Sequence, residues 1–449
     1  MKYALTHCYT DHNKGDAAII IATAQLIREQ DPNAEINMFS TFGPNDNQFK
    51  NEHEFIKAFA NNLYPGMFYQ PRPVFSGSDA SRLLHFAWIL LKFSLLILTK
   101  NSNILRLFFT KQELDGVSKF IASDVILSKG GSYITTQNKS LRQSLSLFTM
   151  LYPFFLAKRY KKKMYIFSQS LGPVVGVFNQ WLMKKALLGI EKIYLRESLC
   201  IERYLEVQDL KRHVPIEVIP DTAFYLKNEG KLATHSILID TKKFNVGLTL
   251  VDHAFKYITN PNLKREKIKN YKNTIIETIK YLIDEQDAYI HIFPQVISEN
   301  SHLGHSDVKI SKEVEAIFKN LNLGSRVIYH HGDFNPMQLK SMYGCMDLFI
   351  GTRLHSVIFA LSMNVPSINI AYHGTKSQGI LGAIKGFEEN VILIDDIYPS
   401  LLITKVSNMQ EKITLLRRNL VYENSIQKKK LQEAMASIVS SIYRGPFGA

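Results

Sequence analysis

Short β-rich runs alternate with helical patterns along most of this 449-residue chain, and few folds accommodate that alternation. It is typical of parallel sheets whose strands are joined by crossover helices. The pattern occurs in two series, one in each half of the chain, so we predict two similar sheets. The predicted strands are residues 2–5, 35–39, 125–128, 164–168, 192–195 and 217–219, then 246–251, 289–293, 327–329, 348–350, 367–370 and 391–394.

The two series are separated by the polar stretch 226–241, which Gly230 interrupts. We therefore predict an N-terminal Rossmann-like domain over residues 1–228 and a C-terminal Rossmann-like domain over residues 240–425. A Lys-, Gln- and Glu-rich helical pattern from about residue 403 to 443 closes the chain, and we assign residues 426–449 to a separate C-terminal helix. The length also suits two domains better than one core.

The net charge of +14, from 54 Lys and Arg against 40 Asp and Glu, favours an anionic partner. Nucleic acid, a phosphorylated small molecule and an acidic membrane surface all satisfy it. Cys8, Cys200 and Cys345 are far apart, which excludes a disulfide framework and a paired Cys-x-x-Cys zinc site. No His, Cys and Asp cluster has metal-ligand spacing, so we expect no metal and no cofactor. The apolar run near the N-terminus is too short for a signal peptide, so we expect a cytoplasmic protein.

Residues 83–98, LLHFAWILLKFSLLIL, form a markedly apolar segment. It is shorter than the roughly 20 residues that span a bilayer. As a helix it would place His85, Lys92 and Thr99 on a narrow polar stripe. Two interpretations remain open, a helix in the interface of an anionic membrane and a buried helix of a large domain.

Polar residues and glycines follow several predicted strands, where ligands bind in open parallel sheets. Asp16 and Asp221 are each either a helix cap or a chemical group. In the second half, Arg353 and His355 stand at a strand-to-helix turn, where a guanidinium and the first N–H groups of a helix form a cradle for an anion. The residues after the strands are Asn13, Gly15, Asp16, Lys129, Gly130, Gly131, Ser168, Gln169, Ser170, Arg196, Asp221, Arg353, Leu354, His355 and Lys376.

This combination resembles the polysaccharide pyruvyl transferase family over about residues 1–380. The Arg353-Leu354-His355 turn, with the apolar helix and strand after it, is its most specific part. The combination also includes Ser168-Gln169-Ser170-Leu171-Gly172-Pro173 and Arg196-Glu197. Gly130-Gly131 departs from the family's triple glycine, with Lys129 before it and Ser132 after it. The resemblance implies two Rossmann-like domains with parallel sheets facing across a cleft, a GT-B-like fold.

The resemblance also implies an enzyme that forms a pyruvate ketal on a sugar, with phosphoenolpyruvate as the donor. Arg196, Arg353 and His355 then hold the donor, together with Leu354, Lys376, Ser168, Gln169 and Ser170. We assign Asn13, Gly15, Asp16, Lys129, Gly130 and Gly131 to the acceptor. His355 either donates a proton or serves as a further cation, Asp16 is the candidate base for a sugar hydroxyl, and Asp221 is a weaker one.

The charge and the apolar segment suggest a sugar acceptor carried on a polyprenyl diphosphate, at the inner face of a bacterial cytoplasmic membrane. A nucleotide-linked sugar acceptor is the alternative. One rival function is a GT-B glycosyltransferase with a nucleotide-sugar donor, in which Arg353 and Lys376 hold a diphosphate. The other is a nucleic-acid-binding protein, but the basic runs 158–163 and 428–430 lack interleaved stacking aromatics, so we expect no nucleic acid.

Overall fold

The structure is a computed structural model that describes residues 1–69, 79–99, 102–229, 239–251, 253–297, 306–372 and 376–443. The chain folds into two compact units. The first comprises Met1–Asp11, Ile19–Thr222 and the residues from Lys430 onward. The second comprises His12–Ala18 and Ala223–Lys429. The short segment His12–Ala18, which we assigned to the N-terminal domain from sequence, thus folds with the second unit.

The first unit is built on a seven-stranded sheet in which all neighbouring strands are parallel. The strand order is β3-β2-β1-β4-β5-β6-β7. The short edge strand β3 was not predicted, whereas the six predicted strands of this half are present. The strands are β1 Lys2–Cys8, β2 Glu35–Ser40, β3 Asn62–Tyr64, β4 Val125–Ser128, β5 Lys163–Gln169, β6 Lys192–Leu195 and β7 Ile216–Val218.

The second unit has a six-stranded parallel sheet with the order β10-β9-β8-β11-β12-β13. All six strands were predicted, and the two-sheet α/β fold class is confirmed. The strands are β8 Asn245–Thr249, β9 Tyr289–Ile292, β10 Val327–Tyr329, β11 Leu348–Gly351, β12 Ser367–Ala371 and β13 Val391–Leu393.

Helices connect the strands of both sheets, as parallel pairing requires. The helices that precede β7 in the chain are α1 Lys14–Gln30, α2 Asn47–Asn51, α3 Glu54–Lys57, α4 Asp79–Leu98, α5 Ser102–Arg106, α6 Lys111–Ala122, α7 Leu141–Arg159, α8 Val177–Leu187, α9 Leu199–Arg203 and α10 Leu205–Lys211. The later ones are α11 Pro261–Gln286, α12 Val308–Asn320, α13 Pro336–Tyr343, α14 Leu354–Ser362, α15 Lys376–Leu381, α16 Pro399–Glu411 and α17 Ile413–Tyr443. The closing helical pattern is thus two helices, and α17 contributes residues to both units.

The apolar segment 83–98 lies in α4, and Lys92 of its predicted polar stripe is buried. Ile89, Lys92, Phe93 and Leu96 are buried at the i, i+3, i+4 and i+7 positions of one face. The Lys92 ammonium is 2.6 Å from Glu113 and 4.8 Å from the ring centre of Phe109. A buried partner therefore compensates its charge inside the first unit.

The opposite face of α4 exposes large apolar side chains, including Leu84, Trp88 and Leu91. The helix is thus neither wholly buried nor separate from the core. His85 is outside the side chains that the structure describes. Among the described residues, no helix is long and apolar enough to cross a bilayer.

Candidate active site

In the first unit, Arg196 and Asp221 form a buried ion pair where β6 and β7 end. Arg196 Nη1 donates to Asp221 Oδ2 at 2.7 Å, and Nε donates to Ser170 Oγ at 2.8 Å. Both charged side chains are almost completely buried, at 2% and 0% exposure. Burial in a low dielectric makes the pair costly to break and holds the guanidinium in one orientation. Asp221 and Ser170 thus position Arg196.

Ser168 lies at the same edge of the sheet, near the end of β5. Its backbone is in the left-handed region, at φ 58°. Its hydroxyl donates to the Pro220 carbonyl at 3.0 Å and accepts from the Thr222 amide at 3.1 Å. A Cβ on Gly130 would lie 2.5 Å from the Ser168 carbonyl oxygen, so only glycine fits there. Backbone in such sparsely populated conformations is concentrated at functional sites.

Gln169 carries a buried carboxamide between these serines. Within the described part of the chain, neither its Oε1 nor its Nε2 has a hydrogen-bond partner. The side chain is fully buried, so this is an energetically costly arrangement for a native protein. A bound polar ligand would supply the missing partners, and the assignment of Gln169 to a binding site stays a prediction.

His7 is a residue of this edge that sequence reasoning missed, because it only ended an apolar run. Its Nε2 is 2.8 Å from the Met150 carbonyl oxygen, and its ring stacks on Tyr133 at 4.6 Å. Burial lowers the pKa of His7 to about 4, so the ring is neutral near pH 7.

Lys129, a predicted acceptor residue, is also buried, and its ammonium is 5.7 Å from the ring centre of Tyr133. Gly131 pairs with Gln169 in an isolated parallel bridge.

In the second unit, Arg353 is held by a carboxylate that the sequence did not reveal. Arg353 Nη2 donates to Asp307 Oδ1 at 2.6 Å, and Nε donates to Oδ2 at 3.1 Å. Nη1 donates to the Tyr372 hydroxyl at 3.1 Å. Burial lowers the pKa of Arg353, but Asp307 and Tyr372 more than offset that effect and raise it. The guanidinium is therefore a fixed, permanent cation.

Arg353 keeps donor capacity beyond these bonds. A guanidinium carries five N–H groups. The bonds within the described residues occupy Nε, one N–H of Nη2 and one of Nη1. One N–H on each Nη remains, which suits the two oxygens of a phosphate or carboxylate.

Asp307 is fixed in turn by the end of β9. Its Oδ2 accepts from the backbone amides of Gln295 and Val296, at 3.1 and 2.9 Å, and its side chain is fully buried. A carboxylate with four N–H donors is well compensated. In sequence Asp307 is only one acid in a polar stretch, and nothing there distinguishes it.

The segment His12–Ala18 pairs with the residues after β9, within the second unit. Asn13 forms an antiparallel bridge with Val296, and the Lys14 amide donates to the Gln295 carbonyl at 3.1 Å. Asn13 Oδ1 accepts from the amides of Gly15 and Asp16, at 3.2 and 3.3 Å. Asn13 therefore caps α1, and the suggestion that Asp16 does so is wrong. α1 begins at Lys14 for that reason.

Gly15 and His355 are in direct contact. A Cβ on Gly15 would lie 2.4 Å from His355 Nδ1, so this glycine lets the backbone approach the imidazole. Asp16 is in the first turn of α1 and accepts from Asn13 Nδ2 at 2.7 Å. Lys14 was not among the predicted site residues. Its side chain is fully buried and bonds to the exposed Asp333.

The remaining predicted residues lie at the starts of two helices. Arg353 is the N-cap residue of α14 and Leu354 is its first residue. Lys376 begins α15, which follows β12. The structure thus brings the predicted residues into two groups. The first unit holds Lys129, Gly130, Gly131, Ser168, Gln169, Ser170, Arg196 and Asp221; the second holds Asn13, Gly15, Asp16, Arg353, Leu354, His355 and Lys376.

Sequence comparison gives a match over most of the chain. A model of the family described as polysaccharide pyruvyl transferase matches residues 13–374. This range includes every residue of the two groups except Lys376. It starts at the Asn13 cap and extends past the Arg353-Leu354-His355 turn.

Solved structures resemble the fold at low sequence identity. The S. aureus MnaA-UDP co-structure has a TM-score of 0.56 at 12% identity, with 99% of this chain and 97% of that chain covered. UDP-GlcNAc 2-epimerase from Neisseria meningitidis, bound to UDP-GlcNAc, has a TM-score of 0.53 at 10% identity, with 99% and 100% covered. A UDP-glucose:anthocyanidin 3-O-glucosyltransferase, in complex with UDP, has a TM-score of 0.51 at 10% identity, with 98% and 99% covered. These similarities establish a GT-B-like fold.

Proposed function

Because the chain belongs to the polysaccharide pyruvyl transferase family, we propose that it transfers pyruvate from phosphoenolpyruvate to a sugar of a bacterial polysaccharide precursor. The product is a ketal that bridges two hydroxyls of the sugar. The observation that carries the donor assignment is Arg353, a buried guanidinium fixed by Asp307, with one N–H on each Nη that no described residue bonds. Phosphoenolpyruvate offers a phosphate and a carboxylate to such a group.

The reaction requires protonation of the donor's methylene carbon, which becomes a methyl group and leaves the neighbouring carbon electrophilic. One sugar hydroxyl adds to that carbon and loses its proton. The bond to the phosphate oxygen then breaks, and the second hydroxyl adds and loses its proton. Of the two hydroxyl protons, one balances the methyl proton and the other leaves with inorganic phosphate.

The second-unit residues have separable roles in this scheme. Arg353 and the first N–H groups of α14 bind the donor's negative charge. His355, in contact with Gly15, supplies the proton or a further positive charge. Asp16 is the proposed base for a sugar hydroxyl. Arg196 remains a proposed donor ligand in the first unit, where Asp221 orients it.

His355 variants test whether a hydrogen bond from this side chain is enough for its role. His355→Gln preserves a hydrogen-bonding side chain but cannot protonate carbon, whereas His355→Ala removes both capacities. Partial recovery of phosphate release in His355→Gln relative to His355→Ala favours positioning. Equal loss in both variants favours a role that needs the proton or the positive charge of the imidazole.

The acceptor in this proposal is a sugar on a polyprenyl diphosphate, reached from the inner face of the cytoplasmic membrane. The net charge of +14 and the exposed apolar face of α4 support it. Membrane sedimentation at low salt tests the location. A protein that stays wholly in the supernatant, and that accepts free or nucleotide-linked sugars equally well, contradicts the lipid-linked acceptor.

Two measurements test the donor. In thermal unfolding, phosphoenolpyruvate should raise the midpoint, because a ligand of the native state stabilises it by mass action, whereas UDP should not. Mass spectrometry of candidate acceptors should show the mass of one added pyruvate less water. Stabilisation by UDP alone, without that product, would favour a nucleotide-sugar glycosyltransferase.

A further inference from the structure

Four exposed apolar side chains cluster at the starts of α7 and α8 in the first unit, and we call them the apolar rim. Leu141 is 70% exposed, Val177 84%, Phe178 61% and Trp181 52%. The rings of Phe178 and Trp181 stack on each other at 5.9 Å. Contiguous exposed aromatic and aliphatic groups are uncommon on a soluble protein and mark an interaction surface.

The two helix starts are physically adjacent. The Thr136 amide donates to the Pro173 carbonyl at 2.8 Å, and the Val175 amide donates to Thr136 Oγ1 at 2.7 Å. A Cβ on Gly176 would lie 3.1 Å from Lys139 Cγ. The segments that lead into α7 and α8 thus run side by side. The four rim residues therefore belong to one patch.

α4 runs beside α7 in the same direction. The Tyr152 hydroxyl donates to the Phe93 carbonyl and Arg159 Nε to the Ile97 carbonyl, both at 2.6 Å. Residue numbers increase together along this pair, so the two helices are parallel. The exposed Trp88 is therefore toward the same end as Leu141.

This end lies at the edge of the first sheet where the strands end, which we call the ligand edge. α7 precedes β5 and α8 precedes β6, and crossover helices run antiparallel to the strands they precede. The starts of both helices therefore lie at the carboxyl ends of the strands. Ser170 and Arg196 are at that edge too. A partner on the rim is consequently beside the first-unit group of site residues.

The exposed charged side chains that flank Leu141 are positive. Lys139 and Arg142 are exposed on either side of Leu141. The first turns of α7 and α8 contain neither Asp nor Glu. Aromatic and aliphatic groups with flanking cations match the interface of an anionic bilayer, where the rings sit at headgroup level and the cations meet lipid phosphates.

We infer that the apolar rim inserts into the surface of an anionic membrane and holds the first-unit ligand edge against it. This inference rests on the proposed function, since it explains how a lipid-linked sugar reaches that edge. The contact is peripheral and shallow, and it depends on Phe178 and Trp181 for insertion and on Lys139 and Arg142 for attraction.

Vesicle sedimentation tests the surface directly, with phosphatidylcholine vesicles that contain or lack phosphatidylglycerol. The parent protein should sediment with the anionic vesicles. Phe178→Ser/Trp181→Ser should lower that affinity at least about tenfold, because two large apolar side chains lose their burial. Lys139→Gln/Arg142→Gln should remove most of the preference for phosphatidylglycerol.

Matched controls come from elsewhere in the chain. Val421→Ser/Tyr422→Ser removes an exposed aliphatic and an exposed aromatic residue of α17, which are 59% and 67% exposed. Lys185→Gln/Lys211→Gln removes two cations at the far ends of α8 and α10. Both controls should bind vesicles like the parent. Equal binding by the rim variant and the parent, or equal loss in rim and control variants, overturns the inference.

Two further readouts keep the outcomes distinct. If light scattering shows a dimer that the rim substitutions dissociate, without vesicle binding by the parent, the rim is a self-association surface and the inference fails. Phosphate release from phosphoenolpyruvate with a soluble sugar acceptor should be unchanged in the rim variants. If the parent releases no phosphate from phosphoenolpyruvate with either soluble or lipid-linked sugar acceptors, the proposed function fails whatever the vesicles show.

Discussion

The side chain on which the donor assignment depends is Arg353, and its environment predicts the effect of replacing it. A charge-assisted hydrogen bond contributes about 1.5–3 kcal/mol, and Arg353 has an N–H on each Nη to offer. Arg353→Ala should therefore reduce turnover at least about tenfold to a hundredfold. Arg353→Lys should recover little, because an ammonium can neither span both Asp307 oxygens nor present a fork. Steady-state phosphate release measures both.

Arg326 provides the control for that experiment. It pairs with Asp287 on the surface of the same unit, with 27% of its side chain exposed. Arg326→Ala should leave turnover close to that of the parent. Arg353→Ala leaves Asp307 with fewer donors, which could destabilise the fold. The thermal unfolding midpoint of the variant should therefore be measured alongside its turnover. Near-normal rates in folded Arg353→Ala and Arg353→Lys would remove the basis for donor binding by Arg353.

Asp221 offers a second test at the level of single residues, since positioning and base catalysis predict different kinetics. Asp221→Asn keeps an acceptor for Arg196 but removes the charge that holds it. As a positioning residue, Asp221 should affect mainly the donor KM, and the pH profile of kcat should keep its shape. Asp209→Asn, which alters a half-exposed pair with Lys184, is the matched control. A lost limb of the kcat profile at unchanged KM would identify Asp221 as a base.

At the scale of elements, β9 and β10 are joined by a histidine pair whose hydrogens can be assigned. His291 Nε2 is 2.9 Å from Asn245 Oδ1, an acceptor, so that nitrogen carries the proton. His291 Nδ1 then accepts from His330 Nε2 at 2.8 Å. Burial lowers the pKa of His291 to about 4 and, with the nearby His291 and His331, that of His330 to about 3. Protonating the pair would place two N–H groups against each other.

The second unit should therefore lose stability in acid. Each histidine takes up its proton in the unfolded chain near pH 6.5, so its contribution is fully present above that pH and is lost as pH falls toward 4. His330→Gln retains a donor to His291 but does not titrate. Its unfolding midpoint should fall less steeply between pH 6.5 and 4 than that of the parent. The surface variant His213→Gln should keep the parental slope, and an unchanged slope in His330→Gln would contradict the assignment.

α4 shows why element patterns do not identify neighbours. Its heptad-spaced polar positions indicated a polar stripe but not what the stripe faces, and Lys92 is inside, bonded to Glu113. Glu113 belongs to the capping box of α6 at its Thr110 N-cap. The carboxylate that compensates Lys92 is thus supplied by another helix. Periodicity along α4 contains no information about that partner.

For the whole molecule, buried titratable groups in both units predict a rise in stability with pH. His7 and His53 of the first unit have pKa values lowered to about 4 by burial, like His291 of the second. Moving one such pKa from 6.5 to about 4 corresponds to roughly 3 kcal/mol. Unfolding midpoints should therefore increase from pH 4 to 6.5.

A second rise should follow above pH 7 because of Lys340. Burial, and then the charge of Lys428, lower its pKa to about 7, and its ammonium donates to the Leu226 carbonyl at 2.5 Å. The unfolded chain keeps this proton up to about pH 10.5, so the cost of the buried charge disappears between pH 7 and 10.5. Lys340→Met should flatten midpoints over that range. Lys405→Met, at a more exposed lysine that also bonds a carbonyl, should leave the rise intact.

The sequence alone determined the two parallel sheets, the Arg353-Leu354-His355 turn and most of the residues at the strand ends. Strands buried on both faces need continuous apolar runs, and such runs are visible in one dimension. β3 was not predicted, because a three-residue edge strand has too few positions to show a pattern.

Only the tertiary structure decided which charges meet. It paired Arg353 with Asp307, Arg196 with Asp221 and Lys92 with Glu113, over separations of 46, 25 and 21 residues. It also brought Asn13 to Val296 and Gly15 to His355. The reason is that ion pairs and close backbone approaches depend on distances in space. Chain folding brings such groups together, and no local propensity or spacing records which ones will meet.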